Sequence, residues 1–159
     1  MFILVRDKHL SLASVGKSPV FIDSDCDLQI CARRLLLGKS ANAGQTCVAP
    51  DYVLVPREFQ DKLVQALSDE YVKFSHRLSY FATAKCYIRY EKFFPTSKPP
   101  SEPGNFSRLV TNDAFNRVSG LLKKTKGTVV LGGEMDASSK YIAPTVVKDV
   151  KWDDSLMSE

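Results

Sequence analysis

What the sequence has little of narrows the field. Long apolar runs are missing: near the start the longest is Phe2–Val5, far short of the roughly 20 residues of a membrane span or the roughly 7 to 15 of a signal-peptide core. No membrane-crossing or targeting segment is expected from these residues. Cysteine is sparse as well. Four in 159 residues, with no C-x-x-C pair, is not the density of a disulfide scaffold and predicts a reducing, intracellular, cytoplasmic setting. Metal-ligand spacing is also missing. Cys26 and Cys31 stand five apart and would diverge on a helix, while His9 and His76 are isolated, so no metal site is expected. Nor is there an excess of one charge: 22 Lys and Arg against 18 Asp and Glu leave a net +4, well below the concentrated basic face that a nucleic-acid backbone requires.

What remains is ordinary globular composition, 44% hydrophobic and 25% charged, in a chain long enough for one core. From Gly16 onward strand-like and helix-like runs alternate. PVFID (19–23) reads as a buried strand after a Gly-Lys-Ser turn. Ser24 or Asp25 can cap a helix whose apolar positions Leu28, Cys31, Ala32, Leu35 and Leu36 recur at three- and four-residue spacing, running to about Ala41. Asn42 to Thr46, with Gly44, then form a tight turn before the strand-like DYVLVP, and Cys47 sits in that turn. A second helix follows Pro56, with Phe59, Leu63, Ala66, Leu67, Tyr71 and Phe74 on one face; a third starts at Thr111 or Asn112 and ends in KKTKG. TVVL and YIAPTVVKDV (141–150) close the pattern, Pro144 making the latter an edge strand or two pieces. Such alternation predicts an α/β domain of three layers around a mostly parallel sheet.

One stretch does not fit. Ser75 to Lys92 interleaves Arg77, Lys85, Arg89 and Lys92 with Tyr80, Phe81, Tyr87 and Tyr90, a pattern that can be read as a nucleic-acid patch or, more simply, as an irregular insertion. The four prolines of PTSKPPSEPGN (95–105) mark an exposed loop.

A cysteine between a helix end and a strand is ordinarily a small apolar filler, although a modest push makes a thiol a strong nucleophile. Here the wording around it decides. GKSPVFID, then CDLQ and CARR on the helix, then GKSANAGQTCVAPDYVLVP, and later FNRVSGLL, LGGEMDASSKYIAPTVVKDV and SLMSE, closely resemble the aldehyde dehydrogenase superfamily, class 3 branch, which includes the fatty aldehyde dehydrogenases. The resemblance covers Gly16 to Phe74 and Phe93 to Glu159. It implies oxidation of an aldehyde to a carboxylic acid with NAD or NADP through a thiohemiacetal on Cys47, whose backbone N–H would serve as one oxyanion donor. Asn42 and Gln45 would position the turn.

The same resemblance exposes departures. The place of the family's general base, a Glu in an L-E-L-G-G-K-S-P phrase, falls on Ala13, which cannot take a proton from water. The nucleotide-binding turn and helix, and the second Glu of an E-E-I-F-G-P phrase beyond Glu159, have no counterpart here, so no cofactor-binding residue is expected to be retained. Residues 1–15 read as a divergent N-terminal remnant, and 16–159 as part of a catalytic domain, incomplete relative to the family fold and interrupted by an extraneous insertion at 75–92. The expectation is a family member inactive as this span alone, acting on an aldehyde and forming a homo-oligomer or associating with a full-length relative. Two rivals remain: a non-catalytic remnant that pairs with such a relative or is unstable, and a Cys-His hydrolase using His9 or His76.

Overall fold

A strand followed by a helix comes back to the same end of a sheet, so successive strands of such a chain pair in parallel. The computed structural model describes residues 2–5, 16–76, 101, 104 and 106–158, with residues 2–5 and 72–76 described as backbone. In chain order the elements are β1 (Phe2–Val5), β2 (Ser18–Phe21), α1 (Leu28–Ser40), a 3₁₀ turn (Ala41–Gly44), β3 (Pro50–Leu54), α2 (Arg57–His76), α3 (Asn112–Lys124), β4 (Thr128–Leu131), β5 (Met135–Asp136), β6 (Tyr141–Ile142), β7 (Val146–Val150) and a closing 3₁₀ turn (Ser155–Met157). Five strands form one sheet in the order β2-β3-β1-β7-β4, and β5 pairs with β6 apart from it. β2, β3, β1 and β7 are parallel neighbours, and β4 joins β7 antiparallel at the edge. The expected mostly parallel α/β sheet is present.

Because strand side chains alternate, the two faces of the sheet feed separate apolar clusters. On one, Ile22, Val53 and Val146 meet Ala32, Leu35 and Leu36 of α1 and Leu63, Ala66 and Leu67 of α2. On the other, Tyr52, Val147 and Val150 meet Leu122 of α3 and Leu156. A bidentate ion pair ties α1 to α2, Arg33 Nε and Nη2 donating to the Glu70 carboxylate at 2.8 and 3.2 Å. Val147 and Val150 could not share a face on an unbroken strand. Asp149 adopts φ 59° and the register against β1 slips between Ile3 and Val5, so a bulge returns Val150 to the Val147 side. The buried Gln60 amide, oriented by its hydrogen bonds, accepts from the Asp149 N–H at 3.1 Å and donates to its carboxylate at 3.3 Å.

Several boundaries differ from the sequence expectation. Asp27, rather than Ser24 or Asp25, caps α1: its Oδ1 accepts from the N–H groups of Gln29 and Ile30 at 2.9 and 3.1 Å, leaving 24–26 in the preceding turn. YIAPTVVKDV breaks into β6 and β7 around Pro144, and β7 lies inside the sheet. Phe2–Val5 occupies the central strand position, paired with β3 and β7. α2 continues to His76, so the first two residues of the 75–92 stretch are helical; the rest of that stretch, with Ala13, His9 and the proline-rich 95–100, lies outside the described residues.

Asp154 anchors the end of the chain. It is 3% exposed, and its carboxylate accepts from the Leu156 and Lys126 N–H groups at 2.9 and 2.7 Å. Burial pushes this carboxyl up, but those N–H donors and the Thr125 and Ser155 hydroxyls outweigh it and hold it below the usual aspartate range. A depressed folded-state value means the stabilisation is complete above the unfolded aspartate's titration near pH 4 and is lost as pH falls from there through the lower folded-state value. Asp154→Asn should therefore lower the urea midpoint near pH 7 and flatten its fall between about pH 5 and about pH 3.

Candidate active site

The turn that carries Cys47 begins where α1 ends. After Ser40 the chain reverses through Asn42 (φ 51°), Ala43 (φ 54°) and Gly44 (φ 74°), successive left-handed residues of which only the last is a glycine. Glycine is required there twice over, since a Cβ on Gly44 would lie 2.9 Å from Lys39 Cε and 3.2 Å from its carbonyl oxygen. Gln45 holds this conformation. Its N–H and its Nε2 both donate to the Asn42 carbonyl, at 3.1 and 3.0 Å; Nε2 also donates to the Arg108 carbonyl at 3.1 Å, and Oε1 accepts from the Val110 N–H at 3.2 Å. Asn42 and Gln45 are thus brought together, Asn42 through its backbone.

Beyond Gln45 a second tight turn closes with the Ala49 N–H donating to the Thr46 carbonyl at 2.9 Å. Cys47 and Val48 occupy its middle; both are exposed, while Ala49 is buried at 2% and roots the turn. The Cys47 carbonyl accepts from Ser18 Oγ at 3.0 Å. Ser18 is itself fixed, its N–H donating to Asp51 Oδ2 at 2.8 Å, and Asp51 Oδ1 takes Lys39 Nζ at 2.6 Å. The ends of α1, β2 and β3 therefore converge on the thiol turn through one carboxylate.

Lys39, Asp51 and Ser18 were not singled out from sequence. One signal pointed to Lys39: it stands four residues after Leu35 and three after Leu36, on the buried stripe of α1, where an ammonium must find a counter-charge.

Behind the turn lies a cavity of about 340 Å³ whose walls include Lys39, Gly44, Asp51, Phe106, Leu109 and Arg117. Cys47 does not line it. Phe106 and Tyr141 meet edge to face with centroids 6.1 Å apart, and the Arg108 guanidinium lies 4.7 Å from the Tyr141 ring centre. Of the histidines raised for a Cys-His pair, His76 is the last residue of α2 and His9 lies outside the described residues. Among the described residues no three His, Cys, Asp or Glu side chains converge as a metal site, and no helix is long and apolar enough to cross a membrane.

The sequence model of the aldehyde dehydrogenase family matches residues 5–159. The chain belongs to that family. Aldehyde dehydrogenase family 3 member H1 of Arabidopsis thaliana is 39% identical over 158 residues, covering 96% of this chain and 28% of the relative. Aldehyde dehydrogenase family 3 member A2 of Rattus norvegicus is 36% identical, over 96% of this chain and 27% of its own length. The chain thus spans little more than a quarter of these class 3 aldehyde dehydrogenases. Among solved structures, substrate-bound Staphylococcus aureus AldH superposes with a TM-score of 0.68 at 30% identity, covering 91% of this chain and 27% of that one. The NAD+ complex of the Bacillus cereus aldehyde dehydrogenase gives 0.63 at 28% identity, covering 91% and 26%.

Aldehyde dehydrogenases of this kind are NAD(P)-dependent. A pyrophosphate needs a glycine-bearing strand–turn–helix with open helix N–H groups. The β2-to-α1 turn instead carries Asp23, Asp25 and Asp27, whose charges repel a phosphate, and Asp27 already takes the first helix N–H groups. Thr111 likewise caps α3, and the Gly132–Gly133 turn leads into a strand. None of these three turns offers a pyrophosphate its open helix N–H groups.

The convergence on Asp51 can be tested directly. Asp51→Ala removes the counter-charge of Lys39, whose side chain is only 9% exposed, and leaves the Ser18 N–H without its acceptor. Because Asp51 itself is 24% exposed, the expected loss in urea unfolding is about 2 to 3 kcal/mol, below the range for a fully buried pair.

Proposed function

We propose that Cys47 is the nucleophile of an aldehyde dehydrogenase and that this chain carries the thiol half of its chemistry. One observation carries the reading: within a family-matched sequence, an exposed cysteine stands in a tight turn three residues after a run of left-handed backbone at Asn42, Ala43 and Gly44. Strained backbone of this kind collects at functional sites. In the proposed step the Cys47 thiolate attacks the carbonyl carbon of an aldehyde, forming the C–S bond as the carbonyl π pair moves to oxygen. The Cys47 N–H donates to that oxyanion. Gln45 and Asn42 hold the turn, and the Ser18 hydroxyl steadies the Cys47 carbonyl. Oxidation of the adduct belongs to a nicotinamide nucleotide, for which the three turns above offer no pyrophosphate cradle, so in this reading the chain's own part is covalent capture.

A second reading rests on Phe21, 61% exposed on the outermost strand β2. An apolar side chain on an open strand edge supports association with another copy or with a full-length relative.

The thiol reading predicts that the chain, given NAD and an aliphatic aldehyde, produces no NADH above background, while an activated ester acylates it stoichiometrically at Cys47. Cys47→Ser should lose the acyl adduct by at least about a hundredfold in rate, a hydroxyl being a far weaker nucleophile than a thiol at neutral pH. Acylation mapped to Cys26 or Cys31 would sink the assignment. NADH turnover abolished by Cys47→Ser would overturn the division of labour.

A further inference from the structure

Cys26 and Cys31 play no part in the chemistry above, and their spacing alone suggested that they diverge. That inference assumed a helix already begun at Ser24 or Asp25. With Asp27 as the cap, Cys26 belongs to the turn, where its N–H donates to the Asp23 carbonyl at 3.3 Å, and Cys31 to the first turn of α1, where its N–H donates to the Asp27 carbonyl at 2.9 Å. The chain doubles back between them. Both cysteines are free and half-buried and pack against the same α1–α2 cluster, and with Asp27 as the cap they are the residue before the cap and the fourth residue of the helix, the two positions that pack together at a helix entry. The Arg34 guanidinium also acts on Cys31 and favours its thiolate.

We propose that Cys26 and Cys31 are a redox-active pair that closes to an intramolecular disulfide by exchange with a low-molecular-weight disulfide such as oxidised glutathione. Two thiols with access to solvent, held near each other by a capped helix, are preorganised for the second step of exchange. In the first step the Cys26 thiolate attacks one sulfur of the reagent, forming a mixed disulfide and expelling one glutathione thiolate. The Cys31 thiolate then attacks the Cys26 sulfur and expels the second. The protein loses two hydrogens and two electrons, and the reagent is reduced to two molecules of glutathione. Burial, and then the neighbouring Cys26 thiol, push the Cys31 thiol up, which suits it to the intramolecular step, where proximity replaces thiolate abundance.

The site reads out cleanly because no Lys or Arg lies between Cys26 and Cys31, so one tryptic peptide, Ser18 to Arg33, contains both. After exchange with oxidised glutathione, acid quench and alkylation, that peptide should be recovered unalkylated and about 2 Da lighter than the reduced form. Cys26→Ser and Cys31→Ser should each keep glutathione on the remaining thiol, because the step that expels it is gone. Repeating the equilibrium in urea should weaken the disulfide at least about tenfold, about 30 mV. Glutathione retained on the unmutated chain, alkylation of both thiols, no adduct in either variant, or an exchange constant unchanged by urea would each overturn the proposal.

Discussion

The Lys39–Asp51 pair is the interaction on which the geometry of the thiol turn depends. An ammonium on the buried stripe of α1 must be neutralised, and the nearest carboxylate sits at the start of β3. Because Asp51 also takes the Ser18 N–H, the same carboxylate joins the end of the helix to two adjacent parallel strands. The segment from Ala41 to Ala49 must then turn within the gap those three ends leave. Left-handed backbone at Asn42 and Ala43 is the geometric consequence, and Gly44 clears the Lys39 stem beneath it.

Around that point the fold divides its labour by face. α1 and α2 cover one side of the sheet and α3 the other, and Arg117 and Leu121 of α3 share the cavity walls with Ala43, Gly44 and Gln45 of the turn that follows α1. Gln45 then reaches across to 108–110, coupling the thiol turn to a segment more than sixty residues away. Ala43, Gly44 and Gln45 line the cavity, while Cys47, two residues further on, is exposed and does not.

Much of this was legible in the residues. Three- and four-residue apolar spacing marked α1, α2 and α3, and Thr111 caps α3 as its type and place suggest, its hydroxyl accepting from the Ala114 N–H at 3.1 Å. Pro144 marked the break in the last strand. The cap of α1 was misplaced because Ser24, Asp25 and Asp27 are all competent caps, and only the packing of Leu28 and Ala32 decides which carboxylate meets the open N–H groups. β1 was missed for a different reason. Four apolar residues with no turn signals around them carry no period, and what makes them a strand is the slot between β3 and β7.

By itself the sequence determined the α/β alternation, the family, and which cysteine sits in the turn, because local periodicity and short motifs are written in neighbouring residues. Only the tertiary structure decided that Lys39, Asp51 and Ser18 would meet beneath that turn and that Asp149 would bulge to return Val150 to the core. Each of those depends on groups brought together by sheet order and helix packing. Such distances are set by the whole chain, and no window of sequence contains them.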